Sequence, residues 1–278
     1  MSSTHIEDIQ AAYGSRAQDY NNSWHMPYAA SFVDWVSPIP GDHILDLACG
    51  TGLLTLAAKK VVGPEGRVIG VDVTPGMLGI ARAAAKKENV DVKFIEHDIT
   101  DLESIEGDWI PKGGFDIIMC ANALVLLPDP FSAMKKWAKL LKPGGRVAVD
   151  VPTEDTMVAG LVLEEVGKEL SIPPPSHRLW VTDQTSVEKL FEDTGLEVER
   201  VWRQDGFGES NMLDAEQGGD LFEKFANSPH WKRFTSREAR DKAKELFIEH
   251  FKRRVGSDSK VYDGFGLYVG IGRKPLGA

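Results

Sequence analysis

The sequence feature that most constrains the fold is the segment ILDLACGTG, residues 44–52. Residues 43–47 (HILDL) predict a buried strand, and Gly50 and Gly52 predict a turn that leads into a helix. Because glycine has no Cβ, a ligand can lie directly against the backbone of such a turn. Asp46 lies at the carboxyl end of the predicted strand, where open α/β sheets bind their ligands. The segment therefore predicts an α/β fold with a binding site at this turn.

Predicted strands and helices alternate along the rest of the chain. Further strands are predicted at residues 67–71, 92–96, 115–120 and 146–151, with helices at 53–62, 75–88 and 130–141. Beyond residue 152 the sequence predicts helices at 154–170 and 183–194, a strand at 196–203 and a last strand at 265–272. Strands separated by helices indicate a parallel sheet with right-handed crossovers.

The composition limits the classes of partner. The chain has 278 residues, with 32 Lys and Arg against 42 Asp and Glu, and thus a net charge of −10. This acidic balance argues against binding to nucleic acid or to an acidic membrane face. Residues 1–10 lack the apolar core of a signal peptide, and no apolar run is long enough to span a bilayer. We therefore expect a cytoplasmic protein with no nucleic-acid or membrane partner and leave its oligomeric state open.

Acidic residues end three successive predicted strands: Asp46, Asp72 and Asp98. A carboxylate beyond the second strand can accept both hydroxyls of a ribose, which suits Asp72. Asp98 could accept from an adenine amino group, and Asp46 could hold the glycine turn or meet an ammonium group. A single strand-end Asp would more simply cap a turn. Three of them in register with a glycine turn favour a nucleoside-type ligand.

The residues of the same turn also indicate which kind of nucleotide is expected to bind. A dinucleotide fingerprint needs a third glycine or alanine, where this chain has Thr55, and no Gly-Lys-Ser/Thr of a P-loop is present. Acidic strand ends suit a cationic ligand without phosphate better than a pyrophosphate. The two cysteines, Cys49 and Cys120, are predicted to be buried thiols, and no metal site is predicted.

Five segments in order resemble the motifs of class I S-adenosylmethionine-dependent methyltransferases, with the ubiquinone- and menaquinone-biosynthesis type as the most similar subgroup. They are residues 44–52, VIGVDVTPGML at 68–78, FIEHDI at 94–99, FDIIMCANAL at 115–124 and LLKPGGR at 140–146. The resemblance implies a Rossmann-like, doubly wound sheet of seven strands, mostly parallel with the last strand antiparallel. It also implies an N-terminal helical arm and a helical insertion before the last strand.

The resemblance further implies which residues contact S-adenosylmethionine, whose product is S-adenosylhomocysteine. The turn from Asp46 to Gly52 would lie against the methionine part, Asp72 would hold the ribose, and Tyr20 would close over the ligand. The full implied set is Tyr20, Asp46, Ala48, Cys49, Gly50, Gly52, Asp72, Val73, Met77, Asp98, Ile99, Asn122 and Ala123.

The sequence departs from the family pattern after the fourth strand. Many relatives carry a histidine there, whereas residues 124–128 (LVLLP) contain no ionisable side chain. Displacement at a sulfonium can be driven by proximity and alignment, and a base is needed only if the acceptor must lose a proton. The candidate catalytic residues are His177, His25 and Tyr28, and His230 is a further histidine outside the motifs.

The sequence thus predicts methyl transfer to a small, apolar or aromatic acceptor. Residues 1–40 would form an arm or lid, and residues 41–278 a methyltransferase domain with substrate-side helical insertions at 153–182 and 209–256. One alternative is a protein that binds S-adenosylmethionine without methylating, as a cyclase or a regulatory partner. A protein or RNA methyltransferase is a second alternative, and the absence of a basic patch counts against RNA.

Overall fold

The computed structural model describes residues 1–172, 176–228, 234, 236–256 and 259–277. Its main sheet has seven strands in the order β3-β2-β1-β4-β5-β9-β6. These are β1 (His43–Leu47), β2 (Arg67–Asp72), β3 (Lys93–Glu96), β4 (Phe115–Cys120), β5 (Leu141–Pro152), β6 (Glu197–Asp205) and β9 (Gly266–Arg273). Strand β9 runs antiparallel to both of its neighbours, β5 and β6, and the other pairs are parallel. The predicted seven-stranded fold with an antiparallel last strand is confirmed.

Helices connect and cover these strands. They are α1 (Ser3–Gly14), α2 (His25–Val36), α3 (Leu53–Val62), α4 (Pro75–Glu88), α5 (Pro130–Leu140), α6 (Val158–Glu169), α7 (Thr185–Asp193), α8 (Gly218–Ala226) and α9 (Arg237–Lys252). Short 3-10 turns lie at Tyr20–Asn22, Leu102–Ser104, Leu124–Leu126 and Ala215–Gln217. None of the helices in the described ranges combines the length and the apolar composition that a bilayer crossing requires.

The switch point of the sheet lies between β1 and β4. From β1 the chain builds outward to β2 and β3, then returns to place β4 on the other side of β1, where Leu47 pairs with Cys120. Loops that leave two such strands diverge, and the crevice between them is where this architecture binds ligands. The topology therefore places a binding crevice beyond Leu47 and Cys120.

Alternate strand residues face two separate cores, as the twofold period of a strand requires. Leu45 and Leu47 pack with Trp137 of α5 and Phe191 of α7 on one face. On the other face, Ile44 packs with residues of α2 and α3. With both faces covered, the sheet is a rigid support for the loops at its carboxyl edge.

A second group of elements lies beside this sheet. Helices α6, α8 and α9 share a core of their own, which includes Val162, Phe222 and Phe247. Next to it, β7 (Asn211–Asp214) pairs antiparallel with β8 (Lys260–Asp263). The segment 209–256 is thus helical over α8 and α9, as predicted, but it begins with a short strand that pairs with residues beyond its end.

Candidate active site

The glycine turn leaves its backbone open on one side. Gly50 and Gly52 both have positive φ angles, of 54° and 81°. A Cβ on Gly52 would lie 3.0 Å from Ala81 Cβ, whereas a Cβ on Gly50 would meet no atom within 4 Å. Gly52 is therefore required for close packing of the turn, and Gly50 faces open space.

Two residues other than glycine adopt the left-handed backbone conformation at the carboxyl edge of the sheet. Ala48 follows β1 and Asn122 follows β4, and each has a φ of 56°. A left-handed conformation costs a residue with a Cβ about 1–2 kcal/mol. Strain of this kind is concentrated at functional sites, and here it occurs at both sides of the switch point.

The turn borders two connected hollows. We call the first the β1–β2 cavity; its walls include Ala48, Gly50, Asp72, Val73, Met77, Ile99, Asn122 and Ala123, with Met1, Ile9, Tyr13 and Tyr20 on the N-terminal side. We call the second the β1–β4 cleft; it is bordered by Tyr20, His25, Tyr28, Asp46, Ala48, Cys49, Gly50 and Asn122, among others. Of the cofactor-binding residues that the sequence implied, all except Gly52 and Asp98 line one of these two hollows.

Asp72 connects the turn to the start of α4. Its Oδ2 accepts from the Gly50 amide and its Oδ1 from the Thr74 amide, both at 2.8 Å. Each carboxylate oxygen has two lone pairs, so both keep capacity for a further donor. Burial raises the pKa of Asp72 even though these amide bonds oppose the shift. Asp72 therefore fixes the turn and also offers acceptors to the cavity.

Asp46 is tied more closely to the protein. Its Oδ2 accepts from Thr55 Oγ1 at 2.5 Å, which joins the end of β1 to α3. Burial raises the pKa of Asp46 to about 7. Its carboxyl borders the β1–β4 cleft, so it faces a different hollow from Asp72.

The Asp98 carboxylate accepts hydrogen bonds from other residues of the chain. Its Oδ1 accepts from the amide and the hydroxyl of Thr100, both at 2.8 Å, and its Oδ2 accepts from the amino group of Met1. Burial alone would raise the pKa of Asp98, but these hydrogen bonds lower it. The structure thus brings Asp46 and Asp72 to connected hollows and places Asp98 behind Met1.

The N-terminal segment lies across the carboxyl edge of the sheet. Gln10 Nε2 donates to the Val73 carbonyl at 2.7 Å, and Thr51 Oγ1 donates to Asn21 Oδ1 at 2.5 Å. A ring nitrogen of His5 lies 2.8 Å from the Leu126 carbonyl. With these contacts in place, the open volume of the β1–β2 cavity is only about 70 Å³.

Asp150 is a site residue that sequence reasoning missed. It lies within β5 and is 1% exposed; its Oδ1 accepts from the Asn122 amide at 2.8 Å and its Oδ2 from the Tyr28 hydroxyl. Burial raises the pKa of Asp150 to about 7. The signal in the sequence was a lone acid inside the otherwise apolar segment VAVDV, residues 147–151.

The candidate catalytic residues lie in different places. His25 borders the β1–β4 cleft and stacks on Tyr20 and Trp24, and burial lowers its pKa to about 4. His177 borders a separate hollow that it shares with Pro128, Phe131 and Trp180, among others. Tyr28 donates to Asp150, and its pKa is raised well above the ordinary value by burial. His230 lies outside the described residues.

A third hollow, of about 450 Å³, adjoins the site. We call it the insertion cavity; it is bounded by the N-terminal segment, the ends of β4 and β5, the segments 156–164 and 176–178, helix α8 and the start of β9. Tyr13, Tyr20, Asn122, Ala123 and Leu126 line both this cavity and the β1–β2 cavity. Within the described part of the chain, no group of three His, Cys, Asp or Glu side chains is placed to hold a metal ion.

These features define a class: an open α/β protein with a nucleoside-type site at its switch point and a larger cavity beside it. The family model described as "Methyltransferase domain" matches residues 39–195, more than half of the chain. The protein therefore belongs to the methyltransferase domain family. The predicted family, a class of enzymes that uses S-adenosylmethionine, is confirmed.

Individual relatives share part of their length with this chain. Aklanonic acid methyltransferase DauC of Streptomyces sp. (strain C5) is 29% identical over 153 residues, which cover 54% of this chain and 67% of the relative. Demethylmenaquinone methyltransferase of Lactococcus lactis subsp. lactis (strain IL1403) is 32% identical over 155 residues, 53% of this chain and 59% of the relative. Thus the chain matches about two thirds or less of the length of these relatives.

A solved structure agrees over a larger part of the chain. The YcgJ protein from Bacillus subtilis has a TM-score of 0.55 at 17% identity, and the match covers 90% of this chain and 99% of that one. At this level of identity the likeness concerns the fold alone.

Proposed function

We propose that the protein is an S-adenosylmethionine-dependent methyltransferase that acts on a small-molecule acceptor. The observation that carries this proposal is the open backbone of Gly50 beside the Asp72 carboxylate, next to a second and larger cavity. The names of the relatives DauC and demethylmenaquinone methyltransferase support a small-molecule acceptor. No feature of the described residues separately favours a cyclase or a regulatory binding protein.

The residues at the turn fit S-adenosylmethionine chemically. The free lone pairs of Asp72 accept from ribose hydroxyls, and the apolar side chains of Val73, Met77 and Ile99 offer surfaces to an adenine. The open side of Gly50 admits the methionine part against the backbone. When bound, this cofactor supplies a methyl group on a positively charged sulfur that is already activated for displacement.

The N-terminal arm has to move for such a cofactor to enter. Ligand pockets usually span roughly 300–1,000 Å³, whereas the β1–β2 cavity is open over only about 70 Å³. The side chains that narrow it, Met1, Ile9, Tyr13 and Tyr20, all belong to the arm. We therefore propose that residues 1–40 act as a lid and that Asp98 exchanges its contact with Met1 for the adenine.

Asp150 is positioned to accept a proton from the acceptor. It lines the insertion cavity and is bonded to Asn122, which borders all three hollows. A carboxylate with a pKa of about 7 is a better base near neutral pH than one with an ordinary pKa. His25, with its lowered pKa, stays neutral and lines the wall.

The remaining predictions rest on composition. With a net charge of −10, we propose a cytoplasmic protein that has no nucleic-acid or membrane partner.

The test is binding followed by transfer. Calorimetry should detect S-adenosylmethionine and S-adenosylhomocysteine, and Asp72→Ala should weaken both by roughly 10- to 100-fold, the value of one or two hydrogen bonds to a charged group. Asp91→Ala, which changes an exposed Asp away from these cavities, is the matched control. Transfer of labelled methyl groups onto a metabolite extract then distinguishes a methyltransferase from a protein that binds the cofactor without transferring its methyl group. Absence of cofactor binding by the wild-type protein would overturn the proposal.

A further inference from the structure

Arg178 is a buried cation in the wall of the insertion cavity. Its residue is 3% exposed, and it lies on the segment between α6 and α7. Its Nη2 donates to the carbonyl oxygens of Thr153 and Thr156, at 3.0 and 2.5 Å. These bonds fix the guanidinium beside the turn that leads from β5 to α6.

Only one of the three guanidinium nitrogens is used in this way. Nε and Nη1 have no hydrogen-bond acceptor among the described residues, and no carboxylate in the described ranges forms an ion pair with Arg178. Among the described residues, the solvent-inaccessible side-chain nitrogens that lack a hydrogen-bond partner are His43 Nδ1 and Trp180 Nε1. Nε and Nη1 of Arg178 are not among them, so both are accessible from the cavity. The charges of Glu164, Asp263 and Asp155 offset part of the cost of burying this cation, and a bound anion that accepts from the open nitrogens would offset more of it.

Glu164 attracts Arg178 through its charge, but its hydrogen bonds go to groups other than the guanidinium. It is fully buried, and it accepts from the Ser176 hydroxyl and, at 2.9 Å, from the backbone amide of Arg178. It therefore positions the segment 176–178. Nε and Nη1 of the guanidinium remain as donors, and either can give a bound carboxylate a charge-assisted hydrogen bond.

The rest of the cavity has the same polarity. The exposed side chains of Arg16 and Lys224 line it together with Arg178, and its two carboxylates, Asp150 and Glu164, are both hydrogen-bonded within the protein. Among the described residues that line the cavity, three cations stand against two hydrogen-bonded carboxylates, and this balance favours an anionic ligand. Apolar side chains, including Trp24, Val125, Phe225 and Phe265, provide the other walls.

We propose that the insertion cavity binds an acceptor with an apolar body and a carboxylate, and that Nε or Nη1 of Arg178 donates a charge-assisted hydrogen bond to the carboxylate. This inference rests on the proposed function, because the same ligand would present its acceptor atom at Asn122, where the cavities meet. Arg178 is thus a specificity-determining residue.

The test compares matched acids and amides on protein saturated with S-adenosylhomocysteine. Calorimetry with cinnamate and 1-naphthoate should give affinities at least about tenfold higher than with cinnamamide and 1-naphthamide. Arg178→Met should weaken the acids by roughly 10- to 100-fold and leave the amides unchanged. Arg178→Lys, which keeps the charge but loses the planar guanidinium and its fixed donor directions, should give an intermediate loss. Arg200→Met, on an exposed arginine of β6 outside the cavity, is the matched control.

Three results would overturn the inference: equal affinity for acids and amides, no acid with a Kd below about 1 mM, or a preference for acids that survives in Arg178→Met. If Arg178→Met does not fold, the wild-type comparison and Arg178→Lys decide. Failure of S-adenosylhomocysteine to bind would instead count against the proposed function, and the acids are for this reason also titrated without it.

Discussion

The β1–β2 cavity and the insertion cavity share a wall, but they are built in different ways. The first is formed around a short run of backbone, the Gly50 turn, and one carboxylate at the end of the next strand, Asp72. The second collects side chains from elements far apart in the chain, among them Asp150, Arg178 and Lys224. The β1–β2 cavity therefore depends on the backbone conformation of one turn, whereas the insertion cavity depends on side chains that the tertiary fold brings together.

The largest effect expected from this comparison concerns the two glycines of the turn. Gly52→Ala places a Cβ 3.0 Å from Ala81 and 3.1 Å from Phe94 at a φ of 81°, so strain and overpacking should lower the free energy of unfolding by about 2–4 kcal/mol. Gly50→Ala meets no atom and should cost only about 1–2 kcal/mol. Its methyl group enters the cavity, however, and should reduce cofactor affinity more than its effect on stability would suggest.

Denaturant unfolding and calorimetry measure the two effects separately. Gly195→Ala, at the end of α7 with a φ of 82° and open space around it, controls for backbone strain alone. The comparison of the glycines would be contradicted if Gly50→Ala bound S-adenosylmethionine as well as Gly195→Ala does.

The two kinds of site differ in how far sequence reasoning reached. Asp46 and Asp72 were predictable, because the carboxyl ends of parallel strands meet at one edge and a glycine turn marks that edge. Asp150 was not, since a lone acid inside an apolar strand becomes meaningful only when Asn122 and Tyr28 are seen to bond to it. Arg178 depends on carbonyl groups of residues 153 and 156 and on Glu164, contacts that no short motif encodes.

The fold, too, was predictable from the sequence only in part. Strand and helix periodicity predicted the main sheet, whereas the pairing of β7 with β8 joins segments on either side of two helices and left no local pattern. The contact of Met1 with Asp98 likewise could not be inferred, because it depends on how the N-terminal arm crosses the sheet.

The next effect concerns two buried carboxylates, Asp46 at the β1–β4 cleft and Asp150 at the insertion cavity. The pKa values of Asp46 and Asp150 are both raised from 3.8 to about 7 by burial. The folded protein therefore binds more protons than the unfolded chain between these values, so stability is greatest below about pH 4 for these groups and is lost as the pH rises towards 7. Each carboxylate should contribute at most about 4 kcal/mol to this decline.

Measurements of the free energy of unfolding between pH 4 and 8 test whether stability falls as the pH rises. Asp46→Asn and Asp150→Asn should each flatten the decline, and the exposed Asp91→Asn is the control. Function should distinguish the two: Asp46→Asn should alter cofactor affinity, whereas Asp150→Asn should lower turnover and remove its rise with pH near 7. Equal effects of both variants on cofactor affinity would argue against assigning them to separate cavities.

The smallest effect expected is kinetic and concerns the arm. If residues 1–40 form a lid over the β1–β2 cavity, the hydrogen bonds of Gln10 to Val73 and of Thr51 to Asn21 oppose its opening. Each bond contributes about 0.5–1.5 kcal/mol net, so Gln10→Ala with Asn21→Ala should speed cofactor association by roughly 5- to 150-fold while the acid ligands of the insertion cavity bind as before. Stopped-flow binding measures this rate, and Glu7→Ala, on the same helix, serves as the control. An unchanged association rate in the double variant would mean that the arm does not gate entry, and the narrow β1–β2 cavity would then need another route of opening.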